Sequence, residues 1–157
     1  MPSRLRADVR IDPPFRREVS AAWLRRVARV ALAAEGVRAA EVGIFVTDDG
    51  TVRALNRAYA GEDAPTDVLS FSLQEGEGFP MPDGLLRLGE VVISLPTARR
   101  QAQAAGRPLL AEMAHLLVHG LLHLLGYDHA TPSQERRMRQ RERDILSALG
   151  QGPAPHP

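Results

Sequence analysis

Apolar residues change their spacing several times along the chain, and each spacing predicts a different element of secondary structure. Four short segments rich in apolar and β-branched residues are typical of strands. These segments are residues 5–11, 41–47, 66–72 and 86–94. Residues 76–84 contain two prolines and predict a loop before the last strand. The pattern leaves open whether residues 66–72 form a core strand or an edge strand that lines a cleft.

Five other segments have the apolar period of helices. They are residues 17–34, 51–59, 97–105, 108–125 and 131–149, the last opening with a Thr-Pro-Ser-Gln capping sequence. The first helix is predicted to bury Trp23, Val27, Val30 and Ala34. The last is predicted to bury Met138, Ile145 and Leu149, with its arginines and the interleaved Glu135, Glu142 and Asp144 forming a solvated face. The whole pattern predicts one α/β (α+β) domain over residues 1–149 and a flexible tail over 150–157.

Composition narrows the possible chemistry. The chain has 157 residues, of which 44% are apolar, and it has no cysteine, which excludes disulfides, a thiolate nucleophile and cysteine-bound metals. No apolar run reaches the ~18–20 residues of a membrane span, and no secretory signal is visible, so a cytoplasmic location without a membrane partner is expected. The formal net charge is +1 and every basic residue is arginine, which permits an anionic partner without demanding one.

Four of the five histidines lie between positions 115 and 129, in the sequence HLLVHGLLHLLGYDH. Within a helix, His119 and His123 stand on the same face, one turn apart. Gly126 then ends the helix, which allows His129 to turn back as a third ligand, in the spacing of metzincin-type sites. Three neutral nitrogens and no thiolate favour one zinc ion with an open fourth position, and nickel, cobalt or copper remain alternatives.

One position separates this pattern from that of a metalloprotease. In the HExxH sequence a glutamate serves as general base, and here the corresponding residue is Gly120. A carboxylate is therefore missing where peptide hydrolysis needs one. The reaction must use another base, a substrate group or hydroxide alone.

The histidine segment HGLLHLLGYDH, residues 119–129, resembles the signature of the YbeY endoribonuclease family. Two further blocks carry the same resemblance: Leu55-Asn56, Tyr59 and the sequence PTDVLSF at 65–71, and then LGEVVI at 88–93. The resemblance implies a small mixed sheet surrounded by helices, with one zinc held by His119, His123 and His129. It also implies a single-strand-specific endoribonuclease, acting on RNA rather than DNA, that matures the 3′ end of 16S rRNA of the small ribosomal subunit and takes part in ribosome quality control.

One departure from the family pattern concerns phosphate handling. The family usually has arginine directly after the tyrosine of the second block, and this chain has Ala60 there. Arg57 lies one helical turn earlier and could substitute for it. His115 could line the cleft or support a ligand, and Asp128 could act as base, orient an imidazole or cap the turn. Glu112 is interpreted as a solvated acid at a helix start.

Three functions remain open at this point. The first is a zinc-dependent endoribonuclease of rRNA maturation. The second is a metallohydrolase of another substrate, which the ligand spacing supports and Gly120 disfavours. The third is a ribosome assembly factor with a structural metal, which Ala60 keeps open. The sequence does not indicate an oligomeric state.

Overall fold

The four apolar segments form a single mixed sheet. The computed structural model describes residues 4–60, 66–72 and 84–150. Its strands are β1 (Arg4–Ile11), β2 (Ala39–Thr47), β3 (Val68–Ser72) and β4 (Leu86–Ser94). They are ordered β1-β2-β4-β3, and β1, β2 and β4 run parallel while β3 runs antiparallel to β4. The second halves of β2 and β4 are almost continuously buried because both faces of the sheet are covered there.

Five α-helices surround the sheet in the described ranges, as predicted. They are α1 (Ala21–Ala34), α2 (Asp49–Ala60), α3 (Leu95–Ala105), α4 (Leu109–Leu124) and α5 (Pro132–Ala148), with one 3₁₀ turn at Pro13–Phe15. The predicted capping box is present: the Thr131 hydroxyl accepts the Gln134 N–H, and the Gln134 side chain accepts the Thr131 N–H. Most of the loop at 76–84 and all of the tail after Gly150 lie outside the described residues.

The predictions for α1 were wrong in two respects. The helix begins at Ala21 rather than near residue 17, because the Ser20 hydroxyl accepts the N–H of Trp23 and caps the helix there. The buried face is also rotated, so that Ala34 is exposed and Trp23 and Val30 are only half-buried. The residues that are buried are Leu24, Val27, Ala28, Ala31 and Leu32. The helix packs on β1 and also against α4 and α5. Contacts with all three neighbours determine which residues of α1 are buried.

The sheet separates two apolar clusters of different size. The larger one contains residues of α1, α4 and α5 packed against one face of β2 and β4. The smaller one, on the other face, joins Val52 of α2 to Phe45 and Val92, with Leu69 and Phe71 of β3 packed against it. Successive residues of β3 therefore alternate between α2 and α4, as the period of a strand requires.

Helix α4 is the most deeply buried element of the domain. From Ala111 to Leu124, every residue is buried except His115, His119 and His123, which are half-buried. These three residues are spaced by four and form one line along the helix. The sequence of α4 therefore places a single accessible polar line on a helix that is otherwise in the core.

Candidate metal centre

The carboxyl-terminal end of α4 determines where the third histidine lies. Gly126 has φ of 101°, a left-handed conformation that L side chains rarely adopt. Its N–H donates to the His123 carbonyl, and the Tyr127 N–H donates to the Leu122 carbonyl, both at 3.0 Å. This pair of bonds is the Schellman arrangement, which ends a helix and reverses the chain. The residues that follow are thereby turned back toward His123.

The three histidines converge as the sequence spacing predicts. Each of His119, His123 and His129 offers a ring nitrogen, and these nitrogens all lie within 4.8 Å of one another. The ring centroids are 4.7 Å apart for His119 and His123 and 5.1 Å apart for His123 and His129. We refer to these residues as the three-histidine cluster. It can hold a metal ion, and it is made of two half-buried side chains and one exposed side chain.

The charge state of His123 suits metal binding. Burial lowers the pKa of His123 below the ordinary value of 6.5, and the neighbouring His119 and His129 lower it further. The neutral imidazole, which has the lone pair that a metal needs, is therefore favoured at neutral pH.

Glu142 of α5 contacts the three-histidine cluster, which the sequence interpretation missed. It was assigned to a solvated face, but it is only 7% exposed. Its Oε2 lies 2.6 Å from His119 Nδ1 and its Oε1 lies 3.3 Å from His115 Nε2. Burial raises the pKa of this carboxyl, but the hydrogen bonds and charges of the two histidines outweigh that effect and lower it to about 2. The available signal was its spacing, since Glu142 falls between Met138 and Ile145 on the buried line of α5.

A groove along β3 gives access to the cluster. This β3 groove has a volume of about 480 Å³. It is lined by Thr66, Asp67, Val68, Leu69, Ser70, Ser72, His119, His123, Leu124 and His129. Among the described residues, β3 pairs with β4 alone, which makes it an edge strand. Of the two interpretations left open by the sequence, the edge strand lining a cleft is therefore the one observed.

Gly120 lies where α4 comes closest to the sheet. A Cβ atom added there would lie 2.6 Å from Val91 Cγ1 and 3.2 Å from Ser70 Oγ. Ser70 Oγ also donates a hydrogen bond of 2.9 Å to the Gly120 carbonyl. The sequence showed that the protease glutamate is missing, and the structure adds that a side chain at this position would point into the sheet.

Of the other candidate residues, His115 and Asp128 lie beside the three-histidine cluster, and neither lines the β3 groove. His115 is half-buried and contacts Glu142. Asp128 is exposed, and its Oδ1 accepts the His129 N–H at 2.7 Å, as expected of a residue that stabilises the turn. Arg57 is exposed in the last turn of α2. Glu112 was wrongly interpreted as solvated: it is buried, and its Oε1 lies 3.1 Å from Arg107 because α4 starts against the end of α3.

The loop between α4 and α5, which bears His129, is anchored to the rest of the domain by Tyr127. Its hydroxyl donates to Glu35 Oε1 at 2.5 Å, and Arg141 Nε donates to Glu35 Oε2 at 2.7 Å. The Arg137 guanidinium also lies 5.5 Å from the centre of the Tyr127 ring. The third histidine is thus tied through its loop to α1 and α5.

Comparison with known proteins identifies the family. The family profile described as "Endoribonuclease YbeY" matches residues 10–150. The chain belongs to the YbeY endoribonuclease family. A relative named endoribonuclease YbeY from Pelotomaculum thermopropionicum is 46% identical over 148 residues, which cover 94% of each chain. Another YbeY relative, from Moorella thermoacetica, is 50% identical over 132 residues and covers 81% of this chain and 85% of its own.

A solved structure supports the fold of this YbeY chain. The solution structure of TM1509 from Thermotoga maritima superposes with a TM-score of 0.58 at 18% identity, covering 92% of this chain and 91% of that one. The resemblance inferred from the histidine segment and the predicted fold class are both confirmed. Among the described helices, none has the length and apolar character needed to cross a membrane.

Proposed function

We propose that this chain is a metal-dependent endoribonuclease whose active site is the three-histidine cluster together with the β3 groove. The observation that carries the proposal is the convergence of three imidazoles on an open groove, in a chain whose family relatives are named endoribonucleases. A groove with an edge strand on one side and ligands on the other suits an extended substrate better than a compact one.

The donor set fits a single zinc ion held by His119, His123 and His129. Three neutral nitrogens without a thiolate are typical of catalytic zinc, in which the protein supplies three of four tetrahedral ligands. When bound, zinc would supply a Lewis acid that polarises a phosphoryl oxygen and lowers the pKa of water toward ~7. The low pKa of His123 supports the same assignment, because this ligand needs little proton release before it binds.

The remaining roles belong to residues of the chain itself. Asp128 stabilises the turn that carries His129 by accepting its N–H. Arg57, exposed near the end of α2, is the candidate that takes over phosphate binding from the arginine that Ala60 replaces.

We further propose that the natural substrate is the 3′ end of 16S rRNA in the small ribosomal subunit, and that the protein acts in the cytoplasm. The family membership supports this assignment through the resemblance of the histidine segment and the two other blocks. Peptide hydrolysis is disfavoured because Gly120 offers no carboxylate where HExxH proteases have their general base.

Cleavage of a single-stranded 16S 3′-end RNA tests the proposal. Wild type, His123→Ala and the surface control Arg136→Ala are purified in parallel, and their zinc content is measured. We expect cleavage by wild type and control, no cleavage of single-stranded DNA of the same sequence, and at least about a hundredfold loss in His123→Ala together with loss of zinc. Equal activity of wild type and His123→Ala would indicate a contaminant. If none of the three proteins cleaves RNA but all bind the small subunit normally, the chain would be an assembly factor rather than an enzyme.

A further inference from the structure

Glu142 is a buried carboxylate that the proposed cleavage chemistry does not use. Burial of an ionised carboxylate is costly unless hydrogen bonds and charges compensate it. Here the compensation comes from His119 at 2.6 Å and His115 at 3.3 Å, 23 and 27 residues away along the chain. The buried carboxylate thus faces the Nδ1 atom of His119, which belongs to the three-histidine cluster, and this contact indicates a role at the cluster.

The geometry determines which nitrogen of His119 carries the proton. The carboxylate accepts hydrogen bonds, so Nδ1, which faces it at 2.6 Å, must be the protonated nitrogen. In the neutral tautomer that results, Nε2 has the free lone pair. Without this partner an exposed imidazole exchanges between its two tautomers, and the ring rotates more freely.

The carboxylate is itself held in place from two sides. Along α5, Met138, Ile145 and Leu146 are buried in the main apolar cluster, which fixes the helix against α4. The second carboxylate oxygen contacts His115 Nε2, which restricts rotation of the carboxylate about its last bond. His115, Glu142 and His119 therefore form one connected group with a defined orientation.

We propose that Glu142 is a positioning residue for the metal centre: it accepts the Nδ1–H of His119 and thereby presents Nε2 to the metal, while His115 orients its carboxylate. This inference rests on the proposed metal site, and it does not require that the reaction be RNA cleavage. Carboxylates that orient histidine ligands typically contribute a factor of about 10–100 to metal affinity.

Zinc affinity of the full-length protein, measured by competition with a chromophoric chelator, is the first test. Glu142→Leu is expected to bind zinc about 10–100 times more weakly than wild type. Glu142→Gln keeps an acceptor oxygen but loses the charge, and it should fall between them, about three- to tenfold weaker than wild type. The matched control is Glu135→Gln on the same helix, where the carboxylate pairs with Arg139 at the surface; its affinity should equal that of wild type.

Histidine side-chain ¹⁵N NMR of the metal-free protein at pH 8 is the second test, and it is independent of both metal and RNA. Wild type and Glu142→Gln should show His119 mainly as the Nδ1–H tautomer. Glu142→Leu should show a mixture of tautomers. A purely structural role would lower the stability of the metal-free variants without changing the tautomer or the zinc affinity.

The outcomes separate this inference from the proposed function. A folded Glu142→Leu protein that binds zinc within twofold of wild type would overturn it, as would an equal loss in Glu135→Gln. If the Leu variant does not fold, the Gln variant decides alone, and wild-type affinity in that variant would overturn the inference. Failure of RNA cleavage with the expected zinc and tautomer results would overturn the proposed substrate and leave the role of Glu142 intact.

Discussion

Replacing Gly120 with alanine adds one methyl group at the point where α4 lies closest to the sheet. The new Cβ would lie 2.6 Å from Val91 Cγ1 and 3.2 Å from both Val91 Cγ2 and Ser70 Oγ. Val91 is fully buried, and its β-branched side chain has little freedom to rotate. The helix must therefore shift, and the hydrogen bond from Ser70 to the Gly120 carbonyl is weakened or lost.

Three contributions set the size of this effect. Overpacking of a well-packed core costs about 1–3 kcal/mol. Loss of the Ser70 hydrogen bond costs about 1 kcal/mol, and alanine in place of glycine inside a helix stabilises by about 1 kcal/mol. Because the last two nearly cancel, the expected decrease in the free energy of unfolding is about 1–3 kcal/mol. Each kcal/mol lowers Tm by about 2–4 °C in a chain of this size.

A double-mutant cycle measures the coupling between positions 120 and 91. The free energy of unfolding in urea is determined for four metal-free proteins: wild type, Gly120→Ala, Val91→Ala and the double variant. Val91→Ala alone leaves a cavity, and in the double variant the new methyl group occupies part of that space. We expect the double variant to be more stable than the sum of the single losses by at least about 1 kcal/mol, since residues in contact couple by ~0.5–3 kcal/mol.

Two results would refute this reasoning. Wild-type stability of Gly120→Ala would show that the helix has room at this position, and additive losses in the double variant would show that Val91 is not the obstacle. By the same steric argument, Gly120→Glu restores the protease-type sequence but should give no peptidase activity, and it should be less stable than Gly120→Ala.

Other regions of the structure give predictions that are simpler to measure. Tyr127→Phe removes the hydroxyl that donates to Glu35, and we expect urea unfolding to show a loss of about 1 kcal/mol; an unchanged midpoint would argue against the anchoring of the loop. Hydrogen bonds from Ser94 and Thr97 lower the pKa of Asp49 to about 2 from 3.8. The ionised carboxylate therefore stabilises the fold above its ordinary pKa, and this stability is lost as the pH falls through about 2. Acid titration followed by circular dichroism should show a smaller loss between about pH 4 and 2 in Asp49→Asn than in wild type, and parallel curves would contradict the assignment. Chelation should lower Tm and added zinc should restore it, because a ligand that binds only the folded state stabilises it; a Tm insensitive to both would count against the metal site.

Local features of the fold were predictable from the sequence because they depend on residues close together along the chain. The strands and helices follow from apolar periods, and the end of α4 follows from Gly126, whose turn is closed by hydrogen bonds within five residues. The start of α1 was missed although its signal was local, since Ser20 is a good helix cap and only Val19 is apolar among residues 17–19. The buried face of α1 was missed for a different reason, namely that three neighbouring elements share it.

The three-histidine cluster follows from the sequence alone, because i, i+4 spacing on a helix followed by a glycine turn leaves few other arrangements for His119, His123 and His129. Three other features became visible only in the folded domain: Glu142 contacts His119, β3 is the edge strand beside the cluster, and Gly120 leaves room for Val91. Each of these depends on contacts between different elements, as between Glu142 and His119, which are 23 residues apart. The apolar period along one helix predicts which positions are buried. The residue that each buried side chain contacts depends on how the helices and the sheet pack together.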